Sequence, residues 1–233
     1  TVNNANFSPD GKTIVTASDD KTAKVWSSSG EELATLKGHT EGVNNANFSP
    51  DGKTIVTASR DKTAKVWSRS GELIATLKGH TKEVNSANFS PDGKTIVTAS
   101  LDNTAKLWSS SGQEKATLKG HTQRVFNANF SPDSKRIVTA SWDNTAKVWS
   151  RYGQEIATLK EHTGEVNNAN FSPDGKSVLT ASWDNTAKVW PLKELGELLN
   201  TGCEWLNDYL IIQPTELQKL ELCQTPEKLK AAA

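Results

Sequence analysis

The chain has 233 residues, enough to bury a sizeable core, and its 27 lysines and arginines balance 27 aspartates and glutamates. Zero net charge excludes a global field that would draw the chain onto nucleic acid or an anionic membrane, and no run of about 18 apolar residues exists to span a bilayer. Cys203 and Cys223 are the only cysteines, and both lie outside the repeats described next; this usage fits a reducing, cytoplasmic compartment better than a disulfide-stapled secreted module. The sequence opens inside a repeat with no apolar signal segment, so a soluble protein without nucleic-acid or membrane partners is expected.

In chain order, the first unit runs from Val2 to Trp26. VNNANF alternates as a strand does, and Ser8-Pro9-Asp10-Gly11 makes a tight turn in which proline presets φ and glycine closes. Lys12 to Ala17 is rich in Thr, Ile and Val, a polar turn follows at Ser18, Asp19 and Asp20, and Thr22 to Trp26 reads as a third strand. After Ser27-Ser28-Ser29-Gly30, Glu31 to Leu36 forms a fourth strand that ends in Lys37-Gly38-His39-Thr40. The unit then returns at Val43, Val84, Val125 and Val166, a step of 41 residues, and Trp26, Trp67, Trp108, Trp149 and Trp190 keep the same step. A fixed period in the forties with several short alternating runs predicts an all-β array of four-stranded antiparallel blades, each burying its faces against its neighbours. The repeats span 2–42, 43–83, 84–124, 125–165 and 166–190, within a segment 1–191.

Beyond Pro191 the composition changes. Leu195, Leu198, Leu199, Cys203, Leu206 and Leu210 recur at helical steps, and Pro214-Thr215-Glu216 and Thr225-Pro226-Glu227 read as helix starts, so 192–233 is expected to be an α-helical extension that caps the last blade.

The Gly-His pair, the Ser-x-Asp-x-Thr turn and the closing Val-Trp (Leu107-Trp108 in the third copy) resemble the WD-repeat β-propeller family over Thr1 to Trp190. One departure is that Trp is followed here by Ser or Pro rather than Asp. The resemblance implies a ring of blades, most often seven, that serves as a rigid binding platform. Five copies of the first three strands but four of the fourth predict a ring incomplete in this chain, finished by missing blades or by self-association. Near-identical blades with a helical tail are similar to bacterial arrays that end large multidomain proteins.

The resemblance also implies a structural hydrogen-bond chain in each blade: His39, Ser59, Asp61 and Trp67; His80, Ser100, Asp102 and Trp108; His121, Ser141, Asp143 and Trp149; His162, Ser182, Asp184 and Trp190; with Ser18, Asp20 and Trp26 lacking a histidine. In that chain Asp orients His, His reaches Ser, and Ser meets the indole N–H. The same trio makes acyl-transfer triads, but four equivalent triads would be redundant, and the set is read as buried polar satisfaction. Histidines a blade apart cannot share a metal, and Gly-Lys-Thr at Gly11, Gly52 and Gly93 lacks the earlier glycine and following helix of a phosphate loop, so neither metal nor cofactor is expected. Asn6-Phe7-Ser8 and its copies fit a glycosylation acceptor but sit in the expected inner strand. Lys24, Lys65, Lys106, Lys147 and Lys188 form a row that faces strands bearing Glu or Gln and reads as a cross-strand pairing face.

Recognition is expected where the copies differ. Before the turn aspartate stand Asp19, Arg60, Leu101, Trp142 and Trp183; the loop into the first strand carries Lys82 and Arg124; the inner strand begins with Asn3, Asn44, Asn85, Phe126 and Asn167. An even number of strand reversals puts these sites on one rim. Trp142, Trp183 and Phe126 on adjacent blades, with Arg124 and Arg60 near, are residue types of binding hot spots. Neutral drift among duplicated repeats is the alternative, against which two exposed tryptophans cost solubility without a packing return. A non-catalytic protein- or peptide-binding scaffold within a larger protein is the expected function.

Overall fold

A computed structural model describes residues 1–192. Each repeat forms one antiparallel sheet with strands in sequence order. The first holds β1 (Val2–Phe7), β2 (Thr13–Ser18), β3 (Thr22–Ser27) and β4 (Glu32–Lys37). The second holds β5 (Val43–Phe48), β6 (Thr54–Ser59), β7 (Thr63–Ser68) and β8 (Leu73–Lys78). The third holds β9 (Val84–Phe89), β10 (Thr95–Ser100), β11 (Ala105–Ser109) and β12 (Glu114–Leu118). The fourth holds β13 (Val125–Phe130), β14 (Arg136–Ser141), β15 (Ala146–Ser150) and β16 (Glu155–Leu159). The fifth is three-stranded among the described residues: β17 (Val166–Phe171), β18 (Ser177–Ser182) and β19 (Ala187–Pro191).

The first hairpin turn of each sheet is fixed by local chemistry. The Ser8 hydroxyl donates to Asp10 at 2.5 Å and accepts from the Thr13 N–H at 3.0 Å, and Gly11 takes φ 66°, where a side chain is disfavoured. Ser134 holds the same left-handed place in the fourth sheet at φ 60°.

Sheets pack face to face through one repeated seam. Val15, Ala17, Ala23, Val25 and Leu36 of the first sheet meet Val43, Ala46, Ile55 and Trp67 of the second, and the third and fourth sheets repeat the set. Alternation puts these apolar positions on the sheet faces, and the small alanines let neighbouring sheets approach. The outward faces of the first and fifth sheets bear the same residue types without such cover among the described residues: Val2 is 63% exposed and Val189 66%.

Along the inner strands, asparagine side chains join the sheets. Asn6 donates to Asn47, Asn47 to Asn88, Asn88 to Asn129 and Asn129 to Asn170, at 2.6 to 3.0 Å. Each also donates to a main-chain carbonyl of the next sheet, such as Ala46, so one carboxamide ties two inner strands together. These asparagines belong to the glycosylation-like triplets and are occupied in the inter-sheet ladder.

The compact unit comprises Thr1–Trp190, with Pro191–Ala233 as a second unit. The expected helical cap, Cys203 and Cys223 lie outside the described residues.

Candidate functional site

The repeated polar chain differs from its expected form in one member. His39 Nδ1 lies 2.7 Å from Asp61, His39 Nε2 lies 2.7 Å from the Thr57 hydroxyl, and Trp67 Nε1 donates to that same hydroxyl at 2.8 Å. Thr98, Thr139 and Thr180 take this place beside His80, His121 and His162, and they accept from Trp108, Trp149 and Trp190. A hydroxyl that accepts from tryptophan is free to donate to the ring nitrogen, which assigns the histidine proton to Nδ1, facing aspartate.

Ser59, Ser100, Ser141 and Ser182 therefore stand outside the chain, contrary to expectation. Ser59 sits at the strand end, accepts from the Asp61 N–H at 3.1 Å and donates to the Gly42 carbonyl at 2.9 Å; Ser100, Ser141 and Ser182 do the same work, bonding Lys82, Gln123 and Gly164. Thr57 lies two residues earlier on the same face, opposite Lys65 in the ladder and within reach of the buried indole. In the first sheet Trp26 donates to Thr16 at 2.9 Å, while Ser18 accepts from the Asp20 N–H.

Burial acts to raise the Asp61 carboxyl, but hydrogen bonds from His39, Thr63 and the Thr40 N–H outweigh it and hold the group far below its ordinary 3.8. Asp102 and Asp143 are held down by the same balance, and Asp184 chiefly by the Thr186 hydroxyl. The histidines are 7% exposed and the threonines between them and tryptophan are fully buried, so these groups face the interior.

The lysine row pairs with a glutamate across strands in three of the five sheets, while Lys65 and Lys188 depart from the expected pattern because β8 carries no Glu or Gln and the fifth sheet has no fourth strand among the described residues. Lys106 and Lys147 reach Glu114 and Glu155 at 2.9 Å, and Lys24 reaches Glu32 at 2.7 Å. Lys65 donates to Thr76 at 3.2 Å, and Lys188 meets Glu161 at 3.5 Å.

The variable positions do gather on one rim, through two local devices. First, the main-chain N–H of each turn residue donates to the loop that enters the same sheet: Arg60 to Gly42, Leu101 to Glu83, Trp142 to Arg124 and Trp183 to Glu165, at 2.9 to 3.0 Å. Second, the pairing of inner strand and neighbour skips one residue, at Asn3, Asn44, Asn85, Phe126 and Asn167. Such a bulge re-aims a side chain, here into the mouth of a cavity of about 330 Å³ lined by all five residues together with Arg60 and Ser86.

What the rim residues do differs from sheet to sheet. Arg60 pairs with Asp19 of the preceding sheet at 2.9 Å and donates to Asn44 at 3.1 Å; Asn3 donates to Asp19 at 2.7 Å. These charges are spent on one another. In the fourth sheet the Arg124 guanidinium lies 4.9 Å from the Trp142 ring, which stacks on Phe126 at 6.0 Å and 18°. Trp183 has Glu165 and Asn167 at the corresponding places and remains 70% exposed. Leu101 is half-buried and Lys82 exposed.

Two polar groups missed in the sequence lie here, one on the stack itself and one beside Phe126 in the cavity lining. The Ser86 hydroxyl and Trp142 Nε1 are buried with no hydrogen-bond partner among the described residues. Ser86 replaces the asparagine of the other repeats; Asn4 and Asn45 there accept from the next sheet's Ala46 and Ala87 N–H groups at 3.3 Å. The signal was available as a fourth position at which the copies disagree.

A family model described as the IFT122 first beta-propeller matches residues 1–201. No curated protein matches the chain significantly.

Proposed function

Because the chain belongs to the IFT122 first β-propeller family over most of its length, we propose that it is a non-catalytic interaction scaffold that binds a protein or peptide on the rim, as a module of a larger cytoplasmic protein. The repeated His, Asp and Thr groups are committed to holding each sheet together, and the rim is where the copies differ in residue type. One observation carries the reading: Arg124, Trp142 and Phe126 gather in one cluster on the fourth sheet, of which Phe126 lines an open cavity, and aromatic and arginine side chains in partly desolvated settings dominate binding energies. Replacing Trp142 and Trp183 together by Ala is expected to abolish enrichment of peptides from a displayed random library. Undiminished enrichment overturns the reading.

A second reading, self-association, is favoured by the outer faces that lack cover among the described residues. Val2 and Phe7 on the first sheet and Leu179 and Val189 on the fifth are each at least half exposed, and their counterparts meet within the repeated seam. Contact between two copies through these faces would be head-to-tail. Sedimentation at rising concentration tests it: association that Val189→Asp removes supports it, and a monomer throughout ends it.

A further inference from the structure

Near the fourth sheet two buried side-chain groups have no hydrogen-bond partner among the described residues, and both can donate. Trp142 Nε1 can only donate, and the Ser86 hydroxyl is free to do so. Arg124 is exposed and enters no ion pair among the described residues, whereas Arg60, the other rim arginine, is neutralised by Asp19. The Arg124 guanidinium lies over the Trp142 ring at 4.9 Å, and its N–H groups have no partner among the described residues, which leaves them for bidentate contact with a carboxylate. Across the mouth, Asn3 spends two amide N–H bonds and Asn85 one on protein acceptors, which leaves their side-chain carbonyls to accept from a peptide main chain.

We infer that this corner of the rim binds an acidic side chain of an extended peptide, with its carboxylate on Arg124 and its main chain crossing the asparagine-lined mouth. The inference rests on the reading of the rim as a recognition surface and names the chemistry that surface selects.

The repeat supplies substitutions compatible with the fold. Glu83 and Glu165 occupy the Arg124 position in other repeats, so Arg124→Glu tests the charge with little risk to folding. The probe is a fluorescein-labelled, C-amidated hexapeptide of glycine, serine and two glutamates, followed by fluorescence anisotropy. Its glutamine counterpart is expected to bind about 10-fold more weakly, Arg124→Glu to lose at least about 10-fold, and Arg124→Lys to lose less, because lysine keeps charge but not the fork. Added salt is expected to weaken the glutamate peptide.

Equal binding of the glutamate and glutamine peptides, absence of binding by the glutamate peptide, or an unchanged affinity in Arg124→Glu overturns the inference. A glutamine peptide with a free C-terminal carboxylate that binds as well as the amidated glutamate peptide also overturns it, in favour of a terminal carboxylate. If library enrichment still depends on Trp142 while these peptides are not distinguished, recognition at the rim stands and the carboxylate assignment alone falls.

Discussion

The main-chain N–H of Trp142 donates to the carbonyl of Arg124 at 3.0 Å, and this one bond brings together two residues 18 positions apart whose side chains then stack at 4.9 Å. The same bond occurs in the second, third and fifth sheets, so the frame is general and only its side chains are particular to the fourth. Phe126→Asn, which installs the residue found in the other four repeats, is therefore expected to fold while removing the ring beneath Trp142. The expected loss is about 1 kcal/mol, the worth of an aromatic pair beyond its area, read by urea denaturation. A variant as stable as the parent would show that the stack contributes nothing to the fold.

Threonine, not serine, carries the buried polar chain, and the two make unequal demands. Thr98→Val keeps the shape but strips the only hydroxyl between His80 and Trp108, both buried. Two orphaned groups predict a loss on the order of 2–4 kcal/mol. Ser100→Ala removes bonds to the Lys82 carbonyl and the Asp102 N–H at the strand end and should cost about 1 kcal/mol. Denaturation of both variants decides the order; if Ser100→Ala is the worse, the assignment of the chain is wrong.

Period, strand order and the common rim are legible because hydrophobic alternation and turn residues fix where each strand starts, and the starts agree with expectation to within a residue at Thr13, Thr22 and Glu32. The choice between Thr57 and Ser59 is not legible. Both recur in every repeat and share a face two residues apart, and only the depth at which the indole and imidazole meet the strand separates them. The stack is legible as residue types but not as contact, since Arg124, Phe126 and Trp142 come together through a main-chain bond and a bulge that leave no mark on composition.

Acid should destabilise the protein through the four aspartates that pair with histidines. Asp61, Asp102, Asp143 and Asp184 titrate below their ordinary 3.8 in the folded chain. A depressed folded pKa means the unfolded chain binds protons first, so their contribution is fully present above about pH 5 and is lost progressively as pH falls through 3.8 toward the folded values. Thermal midpoints should thus fall steeply below about pH 4. Asp102→Asn is expected to be less stable at neutral pH and to show a shallower acid slope. An unchanged slope would place the acid sensitivity elsewhere.

Ser86 interrupts a row of asparagines and leaves a buried hydroxyl unpaired among the described residues. Ser86→Asn restores the carboxamide that Asn4 and Asn45 use to accept from the neighbouring sheet. A gain of about 1 kcal/mol is expected, from a made hydrogen bond and a removed orphan. A destabilised variant would mean that Phe126 has taken the space a longer side chain needs.

The glycine before His80 and His121 is a matter of space. A Cβ at Gly79 would stand 3.1 Å from the Trp108 ring and 2.9 Å from Glu114, and at Gly120 it would stand 3.2 Å from Trp149 and 3.0 Å from Glu155. Those indoles are 1% exposed and cannot yield. The fourth repeat has Glu161 at this place, and its carboxylate reaches Lys188 from the connecting loop, as the fourth-strand Glu114 and Glu155 reach Lys106 and Lys147 in the earlier sheets. Gly120→Ala should therefore cost about 1–2 kcal/mol through overpacking, whereas Glu161→Ala, at an exposed residue, should stay within about 0.5 kcal/mol. Equal effects of the two in urea denaturation would show that the Trp149 seam has room for the extra carbon.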